Sequence, residues 1–290
     1  MATSAVIKSI SSPRLSSYMT FFGCKDELEC VKYYYWNQAL SSELYILLST
    51  IEVSLRNSIH GALSREVSMV LELKRQKLGK EDSGKVDPSK VQDNFAWYEH
   101  IDFFEKDKSN KTKCDSNGRE ILNETGKGFR KITHSGRRCL DRPPQVVVSK
   151  LEFGKWPYVL QSKWYLDGSL VDWVKLFPVI FPNYQNLTHD DHDRIIDRVK
   201  VTCKWRNRLA HLEPVWKFGD VFKKGTKVVL IKEPKSQDEV IKRLNREIRY
   251  NLQLLSWLCE DTAKHYESTV SYKRLLQLAS HEGINEFSHQ

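Results

Sequence analysis

The segment Trp205-Arg206-Asn207-Arg208-Leu209-Ala210-His211-Leu212-Glu213-Pro214 concentrates more chemically able side chains than any other stretch of the chain. An imidazole titrates near neutrality, so His211 can take the proton of a ribose 2′-hydroxyl or give one to a leaving 5′-oxygen. A guanidinium is always charged, so Arg206 can grip a phosphate and stabilise charge that builds on it. Asn207 can orient either partner through its amide. Together they suit cleavage of an RNA phosphodiester, with His211 as general base or acid, Arg206 as clamp and Asn207 as orienting group. Arg208 adds a cation for RNA, as do Arg137 and Arg138 elsewhere. Spacing alone is a weak signal, because Arg274 to His281 repeats a looser form of it.

A second polar set, Glu52, Arg56 and His60, stands at four-residue steps and so forms one row on a helix surface. It reads either as a row facing Arg206 and His211 or as a solvated ion-pair ladder. The run His189-Asp190-Asp191-His192-Asp193 invites a metal, but acidic residues in a first helical turn are accounted for by the helix dipole. No Gly-rich phosphate loop, dinucleotide fingerprint or His-Glu-x-x-His occurs, so no metal and no cofactor are expected.

Three short motifs occur in order: Ile51-Glu52-Val53-Ser54-Leu55-Arg56-Asn57, Leu151-Glu152-Phe153-Gly154-Lys155-Trp156, and Arg206-Asn207-x-x-x-His211. Their order resembles that of Abi-like (abortive infection) proteins, and the last resembles the signature of the HEPN superfamily. The resemblance implies a four-helix-type domain and a metal-independent ribonuclease acting in phage defence as a homodimer. It places Glu52, Arg56 and Asn57 in support of the site, and His60 joins them as a member of the same helical row. A non-catalytic HEPN-like module, binding RNA or a protein, is the main rival; a metal-dependent nuclease is a third class. The RNA cut, the trigger and any antitoxin are not readable from the chain.

These residues need elements to hold them. With 290 residues, 40% hydrophobic and 29% charged, the chain can bury a core, and 13 Gly with 9 Pro favour helices over many tight turns. An all-α, HEPN-like helical bundle with a basic insertion and a small β-hairpin is expected. Asp26 to Glu29 fits a capping box opening a short segment through Tyr33-Tyr34-Tyr35-Trp36. A longer helix should follow, with Leu44, Leu47, Leu48, Ile51, Leu55, Ile59, Ala62 and Leu63 on one stripe. Residues 1–73 would be the N-terminal helices of the bundle, 74–145 the insertion and 146–290 the C-terminal helices.

From Lys74 to Arg142, 17 Lys and Arg against 12 Asp and Glu contribute +5 of the net +9, a balance suited to a polyanion. The insertion has polar runs at Gly79–Ser89 and Lys106–Gly118 around an aromatic island, Phe95 to Phe104, and reads as one docked helix with mobile flanks. Pro143-Pro144 ends it. Thr188 and Asp191 cap a helix bearing Ile195, Ile196, Val199, Cys203 and Leu209, which Pro214 stops near Glu213. Val221–Ile231 reads as a hairpin, and Ser236 with Glu239 caps a last long helix.

Six scattered cysteines, without a Cys-x-x-Cys pair, read as reduced core thiols. The N-terminus lacks a continuous apolar region and no stretch approaches a membrane span, so a cytoplasmic protein is expected. One geometric difficulty stands. Five helical residues turn about 140°, so Arg206 and His211 do not share a face. Either the helix starts or distorts near Arg206, or two chains build the site together.

Overall fold

The computed structural model describes residues 4–78, 86–185, 188–223 and 225–287. The chain is mostly α-helical, as expected. In order run α1 (Ser4–Ile10), α2 (Ser12–Phe22), α3 (Glu27–Leu78), α4 (Glu124–Thr133), β1 (His134–Ser135), β2 (Arg138–Cys139), α5 (Pro144–Lys150), α6 (Trp156–Val159), α7 (Trp173–Ile180) and α8 (His189–Ala210). Then come β3 (Val221–Phe222), β4 (Val229–Ile231), α9 (Gln237–Leu258), α10 (Glu260–Ser268), α11 (Val270–Leu278) and α12 (His281–Asn285). β1–β2 and β3–β4 are separate antiparallel hairpins. The second is the hairpin expected near 221–231.

Every member of the expected apolar stripe from Leu44 to Leu63 is buried. The stripe also begins earlier. Cys30, Tyr33, Trp36 and Leu40 are buried at the same helical steps, so the short segment and the long helix are one continuous helix of 52 residues. Its start is capped as expected: Asp26 Oδ1 accepts the N–H of Glu29 at 2.8 Å, while Glu29 reaches back to the N–H of Lys25 at 2.8 Å. α9 starts in the same manner, with Ser236 Oγ accepting from Glu239 N–H (3.3 Å) and Glu239 accepting from Lys235 N–H (2.6 Å).

The chain forms two compact units. One gathers Met1–Ile51, Lys204–Ser256 and Glu260–Gln290; the other gathers Glu52–Cys203 and Trp257–Cys259. This division differs from the three sequence segments because α3, α8 and α9 each run through a boundary. The residues of the insertion cluster with Glu52 onward in α3 and with the chain up to Cys203, so they are an integral part of the second unit.

In that second unit, the aromatic island is core. Trp97, Tyr98, Ile101 and Phe103 are buried, and Phe129 of α4 stacks on Tyr98 with ring centroids 5.0 Å apart. Among the described residues, the α-helix that lies wholly within the insertion is α4, C-terminal to the island, which itself holds a 3-10 turn at Trp97–Glu99. The run 106–118 is built of hydrogen-bonded turns. Asp107 Oδ1 accepts the N–H groups of Ser109 and Lys111, and Asp115 Oδ1 those of Asn117 and Arg119. Three short strand pieces close on one another: Glu105 N–H donates to Ile121 O (2.7 Å), Ile121 N–H to Lys113 O (2.9 Å) and Lys113 N–H to Glu105 O (2.8 Å). Of the expected polar run Gly79–Ser89, positions 79–85 lie outside the described residues.

Cys24, Cys30 and Cys203 are buried thiols, whereas Cys114 and Cys139 are exposed and Cys259 is intermediate. The reading of all six as core thiols therefore holds for three. No helix among the described residues is long and apolar enough to cross a membrane.

Candidate functional site

In the first unit, α8 carries Trp205 and Leu209 on its buried side, with Arg206 half-buried and Asn207 exposed on the others. The helix neither starts nor breaks at Arg206. It ends at Ala210, before the point expected from Pro214, and the cause is Leu212, whose φ of 55° lies in the left-handed region. Leu212 N–H donates to Leu209 O (3.0 Å) and Glu213 N–H to Arg208 O (2.9 Å). These two bonds make a Schellman turn, in which the left-handed position is normally glycine. A leucine there carries a steric cost of about 1–2 kcal/mol. His211 is the capping residue itself. Its N–H still bonds Asn207 O at 2.9 Å, its side chain is exposed, and its ring makes no hydrogen bond among the described residues. Arg206 Nη1 makes a long hydrogen bond, 3.5 Å, to Asn207 Oδ1.

The chain after His211 is firmly anchored. Val215 N–H donates to the buried Asn37 Oδ1 at 2.8 Å. Val215 and Trp216 are buried, and the Trp216 ring lies 5.1 Å from that of Tyr18. Phe218 meets Trp205 edge-on at 5.6 Å, and the guanidinium of Arg243 lies over the Phe218 ring at 5.1 Å. Arg208, expected to contact RNA, is turned to this arch. Its Nη2 donates to Pro214 O (2.5 Å) and Lys217 O (2.6 Å), its Nε lies 3.5 Å from Glu213 Oε2, and its guanidinium sits 5.7 Å from the Trp205 ring. Burial pulls its pKa below the usual arginine value, the carboxylate of Glu213 opposing that shift.

The row on α3 falls in the second unit, and its members have different surroundings. Glu52 and Arg56 are half-buried, with Arg56 Nη1 reaching Ser149 O at 3.4 Å, and Asn57 is exposed. His60 is buried and tied on both ring nitrogens. Trp97 Nε1–H donates to Nδ1 at 2.9 Å, which fixes the proton on Nε2, and Nε2–H donates to Asn94 Oδ1 at 3.0 Å. Asn94 passes the network to Gln145 at 2.6 Å. Ser64 Oγ accepts from Phe95 N–H at 3.0 Å. His60 thus fastens the insertion's aromatic island to α3. Burial pulls its pKa below 6.5, and the bond to Asn94 opposes only part of that. Trp97 and Asn94 carry no mark in the sequence as partners of His60, because no local signal pairs positions 34 or 37 residues apart.

The middle motif is a packing element of the same unit. Phe153 and Trp156 are fully buried, and Cys203 Sγ lies 3.5 Å from Phe153 O. A Cβ on Gly154 would meet nothing within 4 Å, so space does not demand glycine there. Arg137 and Arg138 are exposed at the tip of the β1–β2 hairpin, where Gly136 has φ 61°. The acidic start of α8 is a cap: Asp191 Oδ2 accepts from Thr188 N–H (3.0 Å) and Thr188 Oγ1–H (2.7 Å), and its other oxygen accepts from Tyr184 Oη–H (2.7 Å). These bonds hold the Asp191 pKa down at about 2. His192 stacks on Phe177 with centroids 4.2 Å apart, and the side chains of His189 and Asp190 lie outside the described residues. No group of three or more potential metal-ligating His, Cys, Asp or Glu occurs among the described residues.

No family model matches the chain, and no curated protein and no solved structure matches it either.

Proposed function

We propose that the chain is a metal-independent endoribonuclease with a HEPN-like helical bundle, acting in phage defence as a homodimer. The reading rests chiefly on the end of α8, where Arg208 serves the fold while Asn207 and His211 face solvent beside Arg206. In the proposed reaction the 2′-oxygen attacks the adjacent phosphorus as its proton passes to an imidazole. The bond from phosphorus to the 5′-oxygen breaks, and that oxygen takes a proton from an imidazolium. The products are a 2′,3′-cyclic phosphate and a 5′-hydroxyl. Arg206 would neutralise the phosphoryl oxygens and Asn207 would orient the nucleophile. One histidine per segment supplies one of the two proton transfers at a time. A two-fold axis joining two copies would bring a second His211 to the same groove. Exposed Arg137 and Arg138 would contribute phosphate contacts.

Incubating labelled RNA with the purified chain in EDTA tests this reading. Cleavage to 2′,3′-cyclic phosphate and 5′-hydroxyl ends is expected. Binding without cleavage would make the chain an RNA-binding module, and cleavage abolished by EDTA would make it a metal-dependent nuclease.

A further inference from the structure

We infer that Arg208 is the positioning residue for His211, holding its backbone in place by closing the turn at the end of α8, and is not a phosphate contact. The inference rests on the ribonuclease reading for its catalytic consequence, but on geometry alone for the turn.

The turn reverses the chain at a residue poorly suited to it. Leu212 is 59% exposed, so little packing repays its left-handed φ of 55°. Something else must hold it. Arg208 closes the turn at two levels. Its carbonyl accepts from Glu213 N–H, and its guanidinium, swung the other way, donates to the carbonyls of Pro214 and Lys217. Pro214 has no N–H to offer, so the arch is held from its carbonyl side. Trp205, one turn back on α8, supplies the face against which the guanidinium lies.

His211 sits between these fixings. On one side its N–H is bonded to α8, and on the other the next residues are locked by Arg208. Its ring has freedom only about its own side-chain torsions. A lysine at 208 keeps the charge, but its ammonium ends one bond short of the Nη2 position from which both carbonyls are held. The turn would then relax, and His211 with it.

The test compares wild type, Arg208→Lys and the double variant Arg208→Lys/Leu212→Gly. Three quantities are followed: amide hydrogen exchange at Leu212 and Glu213, cleavage kinetics on a labelled RNA, and the salt dependence of RNA binding. Arg208→Lys should lose about tenfold or more of the exchange protection at Glu213. Its kcat should drop about 10- to 100-fold with KM and salt slope unchanged, as expected of displaced chemistry without a lost phosphate contact. Adding Leu212→Gly removes the steric cost, so the turn re-forms and most of the lost kcat returns. That rescue also covers the case in which Arg208→Lys alone folds poorly.

Unchanged exchange with full activity in Arg208→Lys would overturn the inference. So would intact exchange together with a salt slope reduced by about one, the mark of a phosphate contact. If wild type cleaves no RNA while Arg208→Lys still loses protection, the turn-closing role stands and the ribonuclease reading fails.

Discussion

His60 and His211 are the two histidines that the sequence reading assigns to the candidate site, and the fold treats them in opposite ways. His60 is buried, both ring nitrogens are bonded, and its tautomer is fixed by Trp97. His211 is exposed at a strained helix end, with a ring that makes no hydrogen bond among the described residues. A histidine satisfied on every side has no proton to trade and serves as a structural bolt. One held by its backbone alone is available to a substrate. On the same helix, α8, the guanidinium of Arg208 is bonded to the carbonyls of Pro214 and Lys217.

Removing the bolt should have the largest effect on folding. In His60→Ala, Trp97 Nε1–H is left buried without its acceptor and Asn94 loses its donor, beside a small cavity. A destabilisation of about 2–4 kcal/mol is expected. Denaturant titration checks it, and a loss under about 0.5 kcal/mol would remove the contrast between the histidines.

The same site gives the chain a pH-dependent stability. Burial lowers the folded pKa of His60 below 6.5, so under acid the unfolded chain binds a proton that the folded chain resists. The contribution is complete above about 6.5 and is lost as the pH falls towards the lowered folded value. Its slope is at most about 1.4 kcal/mol per pH unit for one proton. Stability measured at pH 7.5 and 5.5 should fall further in wild type than in His60→Ala. Equal falls would place the sensitivity in other groups.

The smallest effect sharpens the other half of the comparison. Leu212→Gly should stabilise the chain by about 0.5–1 kcal/mol, the relieved left-handed cost less the added freedom of the unfolded chain. A destabilised variant would mean that the leucine side chain holds the turn through packing.

Much of the scaffold was legible, because it follows from periodicity and caps. The stripe of α3, the inner side of α8 and the starts of α3, α8 and α9 stand where spacing puts them. The continuity of α3 is hidden in the sequence although Cys30, Tyr33, Trp36 and Leu40 continue its stripe, since four adjacent aromatics mask the period and have modest helix propensity. The closed strand pieces of the insertion were not legible. They depend on backbone bonds among Glu105, Lys113 and Ile121, which leave no side-chain pattern. The candidate site divided likewise. Residue types near His211 could be read directly, but the roles of His60 and Arg208 depend on Trp97 and on the carbonyls of Pro214 and Lys217. Those partners are set by the path of the chain rather than by local spacing.

Cleavage and stability measured side by side on wild type and His211→Ala test the central claim most directly. The account predicts that His211→Ala loses about 10²–10⁴-fold in RNA cleavage, the range for a positioned acid or base, while its unfolding free energy changes by less than about 0.5 kcal/mol. Undiminished cleavage by the pure, folded His211→Ala chain would contradict it.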